Sequence, residues 1–207
     1  MTFSIRHETI LTPYLNPFRI ARTHGDGGGA TSVILELRDD ADGPAGGAGP
    51  VGFGEGYPDA YYGETPATMA VVLPMLVAAI EPLADGLRGD VAAARTALVA
   101  AGAAMDDAIR HHGAAKCALD IALHDLVGKR LGIPVHELLE MSPDIPPTDF
   151  TLGLDEPSVV AARAKRAAHF PALKIKVGGP SDMETLRAVR SVFGGPIRID
   201  ANTAWEP

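Results

Sequence analysis

Cysteine, aromatic residues and basic charge are all scarce in this chain. One cysteine among 207 residues, Cys117, cannot form an intramolecular disulfide. A cross-linked secreted scaffold is therefore not expected, and the cytoplasm is the default compartment. Lys and Arg number 18 against 26 Asp and Glu, a net charge of −8. Nucleic-acid binders usually carry a basic face, so that class is set aside. No uninterrupted apolar run is long enough for a membrane span, and none is expected. The opening MTFSIRHETI has no basic segment followed by an apolar one, so no signal peptide is expected. Aromatics make up only 5%, yet hydrophobic residues reach 46% and charged residues 21%. That balance supports a packed core built from small aliphatic side chains. No internal repeat of solenoid length is visible.

What is present is ordered along the chain. Residues 4–14, 31–38 and 51–57 read as three strands, and the Gly/Pro/Asp stretch 39–50 joins the last two. Consecutive strands of this kind predict an antiparallel meander. Helices follow. Thr65-Pro66 reads as an N-cap with proline in the first turn, and Pro74 is expected to kink that helix or end it early. Asp90 is the expected N-cap of a helix over 90–101. Residues 111–134 carry an apolar stripe of Ala118, Ile121, Ala122, Asp125 and Leu126, stopped by Gly132 and Pro134, and Cys117 is expected in the core. After about residue 147 the rhythm becomes strand 148–154, helix 156–170, strand 172–177, helix 181–193 and strand 197–200. This alternation predicts a parallel sheet with right-handed crossovers. The expected organisation is an α+β domain over 1–147 followed, from 148 to 207, by the start of an α/β domain.

Candidate chemistry concentrates in the second part. Lys174 and Lys176 stand two apart in a strand and share a face, while Ile175 and Val177 face the helices. They read either as solvent-facing lysines or as a general base, because a second cation beside a lysine disfavours its charged form. Asp200 stands at the C-terminal end of the last strand, where parallel α/β folds place their sites, with Asn202 following. It reads either as a turn cap or as an oxygen ligand for a hard cation. Lys176 and Asp200 lie one βα unit apart and face one mouth, and Thr151 reaches the same rim. Other features are weaker. The Gly-rich stretches 25–30 and 52–56 do not open helices, which a phosphate cradle requires. His111, His112, His124 and His136 lack metal spacing and read as capping, surface or core residues. Arg19 and Arg22 either reach an anion or are solvated. Tyr57, Tyr61 and Tyr62 form an aromatic loop able to cover a ligand.

The motifs LKIKVG (173–178), RIDAN (198–202) with Trp205, and AAKCALDIALHDL (114–126) followed by Gly132 to Leu139 resemble the enolase superfamily, in its muconate-lactonizing-enzyme-like branch. Within that branch Pro17-Phe18-Arg19 leading to Arg22-Thr23, Tyr62 to Pro66, and Phe150 to Leu154 resemble the dipeptide epimerases of the L-Ala-D/L-Glu type. The resemblance implies a capping domain followed by the first strands and helices of a modified (β/α) barrel. It implies Lys176 as one of two acid/base lysines, Lys174 on the substrate carboxylate, Thr151 lining the substrate site, Asp200 as the first Mg²⁺ ligand with Asn202 beside it, and Arg22 toward an acidic substrate side chain. The implied partner is a small dipeptide or other carboxylate, and a full-length member would form a homo-oligomer. Other branch activities share these motifs: muconate cycloisomerase, o-succinylbenzoate synthase and N-succinylamino acid racemase. Family members also carry two later acidic ligands and an opposing lysine, which these 207 residues do not contain. The chain alone is therefore expected to be inactive as an epimerase, and a truncated pseudoenzyme is the non-enzymatic alternative.

Overall fold

A computed structural model describes residues 2–21, 28–42 and 49–205. Arg22, residues 25–27 of the first Gly-rich stretch and residues 43–48 of the predicted loop lie outside them. The chain packs as two units: Met1–Thr12 with Thr31–Pro143, and Pro13–Ala30 with Asp144–Pro207. Residues 13–21 and 28–30 thus group with the second unit rather than the first. The cause is local backbone pairing: the Leu154 N–H donates to the Arg19 carbonyl at 2.8 Å.

In the first unit, β1 (Phe3–Pro13), β2 (Gly29–Asp39) and β3 (Gly52–Gly56) form one sheet in that order. β2 and β3 run antiparallel, with Val33 opposite Gly56 and Leu37 opposite Gly52. The helices are α1 (Pro66–Ile80), α2 (Ala84–Leu87), α3 (Val91–Ala108), α4 (Gly113–Leu131) and α5 (Val135–Leu138). Thr65 caps α1 through a reciprocal box: its hydroxyl accepts from the Thr68 N–H at 3.1 Å, and Thr68 Oγ1 accepts from the Thr65 N–H at 2.9 Å. Asp90 caps α3 on the Ala93 N–H at 3.0 Å.

Three expectations are corrected here. Pro74 does not end α1, which runs on to Ile80. Pro74 lies on the exposed face, while Leu73, Leu76 and Val77 are buried beside it. Burial of that face outweighs the one hydrogen bond a proline removes. Continued through Leu87, this is a 22-residue helical stretch containing an 18-residue window of mean hydropathy 1.9, long and apolar enough to cross a membrane by length and composition. Its buried residues Met69, Leu73, Leu76 and Ile80 belong to the core of the unit. Of the expected α4 stripe, Ala118, Ala122 and Leu126 are buried, but Ile121 and Asp125 are not. Ala115, Ala118, Leu119, Ala122, Leu123 and Leu126 are buried, whereas Ile121 is 43% exposed. Asp125 points to the rim, where it accepts from the Phe53 N–H and Lys129. Cys117 falls on the exposed side of that helix, outside the core.

The orientation of α4 follows from β3. A Cβ placed on Gly54 would stand 1.9 Å from the Ala118 carbonyl oxygen, and one on Gly52 would stand 2.1 Å from that of Ala122. The second Gly-rich stretch is therefore a strand whose bare face lets a helix backbone approach directly. Nearby, the carboxylate of Asp39, with no exposed side-chain surface, accepts from Arg88 at 2.6 and 2.8 Å and from Arg130 at 2.9 Å. Burial pushes its carboxyl up. The hydrogen bonds from Arg88 and the Ala41 N–H and the charges of both arginines outweigh that, so it lies below the ordinary value.

The second unit contains β4 (Asp149–Leu152), α6 (Pro157–Arg166), β5 (Ala172–Lys176), α7 (Asp182–Arg190) and β6 (Ile197–Asp200). The three strands are parallel in the order β4-β5-β6. Leu152, Leu173, Ile175 and Val177 face Val160, Ala164 and Val189 of the helices and form one small core. The period of two then sends Thr151, Lys174 and Lys176 to the opposite face.

Candidate active site

Register assembles the site. Thr151 stands opposite Lys174, Lys174 opposite Arg198, and Lys176 opposite Asp200. Lys176 is 8% exposed, so the solvent-facing reading does not hold for it. Its Nζ donates to Asp200 Oδ2 and to Asn202 Oδ1, both at 2.8 Å. Lys174 Nζ lies 2.9 Å from the same Asp200 oxygen. Asp200 Oδ1 accepts the Asn202 N–H at 2.9 Å. The hydrogen bonds from Lys176, Lys174 and the Asn202 amide hold the Asp200 carboxyl well below the usual carboxylate range. Two ammonium groups, one carboxylate and one amide oxygen thus meet at the C-terminal ends of β5 and β6.

Thr151 is half-buried and lines a cavity of about 540 Å³ with Tyr14, Phe18, Phe150 and Phe170, all within the second unit. The Phe150 and Phe170 rings stack with centroids 4.8 Å apart. Arg19 is exposed on the neighbouring segment, and Arg22 lies outside the described residues. The tyrosine loop is exposed, with Tyr61 and Tyr62 in edge contact at 5.0 Å. His112 precedes α4 in the left-handed region, and His124 Nδ1 lies 2.9 Å from the Asp120 carbonyl. These histidines belong to the first unit and the lysine cluster to the second.

Two polar residues near the cluster were not singled out from the sequence. Arg198 stands two residues before Asp200 on β6 and pairs with Asp149 at 2.6 Å. Its signal was the alternation of the strand itself. Asp182 accepts the Gly178 and Gly179 N–H groups. A Gly-Gly pair followed three residues later by Asp at a helix start was its signal.

Among the described residues, no group of three or more His, Cys, Asp or Glu is placed to hold a metal ion. Magnesium requires an octahedral shell of oxygen donors. Asp200 supplies one carboxylate, and both of its oxygens already receive donors. This donor set does not by itself fit a resident Mg²⁺.

Residues 6–140 match the family model described as the mandelate racemase / muconate lactonizing enzyme N-terminal domain. The L-Ala-D/L-Glu epimerase of Bacteroides thetaiotaomicron is 47% identical over 95 residues, which is 45% of this chain and 25% of that protein. A crystal structure of a dipeptide epimerase from Cytophaga hutchinsonii, complexed with Mg and the dipeptide D-Ala-L-Val, matches 100% of this chain and 53% of its own. Its TM-score is 0.76 and its identity 29%. An N-succinyl Arg/Lys racemase from Bacillus cereus matches 100% of this chain and 53% of its own, with a TM-score of 0.77 and 26% identity. The chain spans about half the length of these solved relatives. The expected fold class holds: an enolase-type capping domain of antiparallel sheet plus helices, and a short parallel sheet.

Proposed function

We infer that this chain, which belongs to the mandelate racemase / muconate lactonizing enzyme family, is the N-terminal portion of an enzyme that moves the proton α to a carboxylate, with a dipeptide as substrate. The observation that carries this reading is the buried Lys176 Nζ held between Asp200 and Asn202 at the mouth of a parallel sheet. Lys176 takes the α proton on one face of the substrate as the neutral amine, or returns it as the ammonium that is paired with Asp200. Lys174 binds the carboxylate, and its ammonium meets the negative charge that grows there as the proton leaves. Thr151 lines the substrate site, and Arg22 meets an acidic substrate side chain. Inversion requires a second base on the opposite face. A Mg²⁺ site requires further carboxylates beside Asp200. Neither is supplied by the described residues.

The test is α-proton exchange in D₂O, read by ¹H NMR over a dipeptide panel that includes L-Ala-L-Glu. It compares this chain alone with this chain joined to the C-terminal half of the Cytophaga hutchinsonii epimerase. The chain alone is expected to be inert. The joined protein is expected to exchange, and Lys176→Met to slow it by about 10²–10⁴-fold, the usual contribution of a general base. A folded joined protein that exchanges no dipeptide overturns the reading. The likeness to the N-succinyl Arg/Lys racemase supports a second reading, racemisation of an N-acylamino acid. Exchange of N-succinylamino acids in place of dipeptides would favour it.

A further inference from the structure

Asn202 supplies one of the two acceptors that hold Lys176, yet it lies beyond the strand. β6 ends at Asp200, and the last inter-strand bond is from the Val177 N–H to the Asp200 carbonyl at 3.0 Å. Asn202 and Thr203 then both adopt left-handed backbone, with φ of 47° and 66°. Asparagine enters that region readily, whereas a β-branched threonine is held there only by its surroundings. The Asn202 N–H bond to Asp200 Oδ1 holds the start of this turn, and contacts from the neighbouring loop add to it.

Asp182, the first residue of α7, meets the loops that follow both strands. Its Oδ1 accepts the Gly178 and Gly179 N–H groups at 3.1 and 3.0 Å, and its Oδ2 accepts Gly178 at 2.9 Å. The same Oδ2 lies 3.4 Å from the Trp205 indole nitrogen. Gly178 stands two residues after Lys176, and Trp205 three after Asn202. The loops also touch directly: a Cβ on Gly178, whose φ is 121°, would stand 2.7 Å from the Ala204 Cβ and 2.9 Å from that of Ala21. The Ala204 N–H closes the turn on the Ala201 carbonyl at 2.9 Å.

We propose that Asp182 is a positioning residue for the lysine site: its carboxylate ties the loop after β5 to the turn after β6, and so holds the Asn202 oxygen on Lys176. Its relevance to catalysis rests on the function proposed above. The tie itself is a property of the 207-residue chain and is tested there. Asp182 touches no reacting group. It acts through Gly178 and Trp205 on the turn that carries Asn202.

The experiment uses the full chain, ¹⁵N-labelled throughout and ¹³C-labelled at lysine Cε. Trp205 is the sole tryptophan, so its indole N–H resonance is unambiguous. In Asp182→Ala, hydrogen-exchange protection of the Gly178 and Gly179 amides is expected to fall about tenfold or more. The indole resonance, the Asn202 side-chain amide and the Lys176 Cε resonance are expected to move with it. Glycine protection lost with Asn202 and Lys176 unmoved would reduce Asp182 to a local cap and overturn the proposal. Should Asp182→Ala fail to fold, Trp205→Phe keeps an aromatic side chain and removes the indole N–H donor. Movement of the Asn202 amide then supports the tie, and its absence overturns it. In the joined protein described above, Asp182→Asn is expected to lower the exchange kcat about tenfold with KM within about twofold, as for a lost transition-state interaction. Absence of exchange in the unsubstituted joined protein would count against the function and leave the tie to be judged by the resonances alone.

Discussion

Replacing Asp39 by Asn removes one buried charge while keeping the side-chain volume. The wild-type carboxylate has no exposed surface and accepts three arginine hydrogen bonds of 2.6–2.9 Å. Removing one partner of a buried pair costs about 3–5 kcal/mol, because the opposite charge stays buried without compensation. Arg88 and Arg130 keep 29% and 16% side-chain exposure, so both regain some water. The low end, about 3 kcal/mol, is therefore expected, which for a unit of this size is roughly 10 °C in the unfolding midpoint. Circular dichroism is the assay, because the long helices α1, α3 and α4 all lie in this unit. Trp205 fluorescence, which reports the second unit, is expected to keep its midpoint. The pH dependence has a definite sign. Asp39 lies below its ordinary value of 3.8 in the folded chain. Its stabilisation is therefore complete above that value and is lost as pH falls through the lower, folded value. The gap between wild type and variant is expected to close in acid. A variant that melts within about 2 °C of wild type at neutral pH, where about 10 °C is expected, would refute the reasoning.

Three further outcomes are expected. Gly54→Ala sets a methyl group 1.9 Å from the Ala118 carbonyl oxygen, so the β3–α4 approach must open, at a cost of about 1–3 kcal/mol or more in urea titration. Gly102→Ala, in α3 with nothing within 4 Å of the new methyl, should instead stabilise by up to about 1 kcal/mol, and equal effects at the two sites would sink the argument. The Asp200 carboxyl, held down by Lys176, Lys174 and the Asn202 amide, should remain ionised at about pH 3 in a ¹³C titration, where a free aspartate is largely protonated. Its share of stability is then retained above the ordinary value and lost only as pH falls through the depressed one, and a midpoint at or above 3.8 would contradict the geometry. Thr65→Ala removes half of the capping box at the start of α1 and should cost about 1 kcal/mol of stability, with recovery in Thr65→Ser.

The strands and helices of the second unit were legible because their signals are local. A period of two set Lys174 and Lys176 on one face, and the βα alternation brought Asp200 to the same end of the sheet. Helix starts at Thr65 and Asp90 were legible for the same reason, since a cap is a matter of three or four neighbouring residues. The stripe on α4 is legible only in part, at Ala118, Ala122 and Leu126, because its buried side depends on a distant strand. Only β3, with glycine at 52, 54 and 56, explains why Ala118 and Ala122 lie under a backbone while Ile121 and Cys117 face outward.

By itself, the sequence determined the element types, the parallel order implied by alternation, and the residue types of the lysine–aspartate cluster. Each depends on periodicity or short spacing, which the covalent chain enforces locally. The tertiary structure alone decided the pairing of Asp39 with Arg88 and Arg130, 49 and 91 residues away. It also decided the grouping of residues 13–21 with the second unit, and the contact from Asp182 across to Trp205. These contacts join groups whose separation along the chain carries no periodic signal, so only the folded chain brings them together.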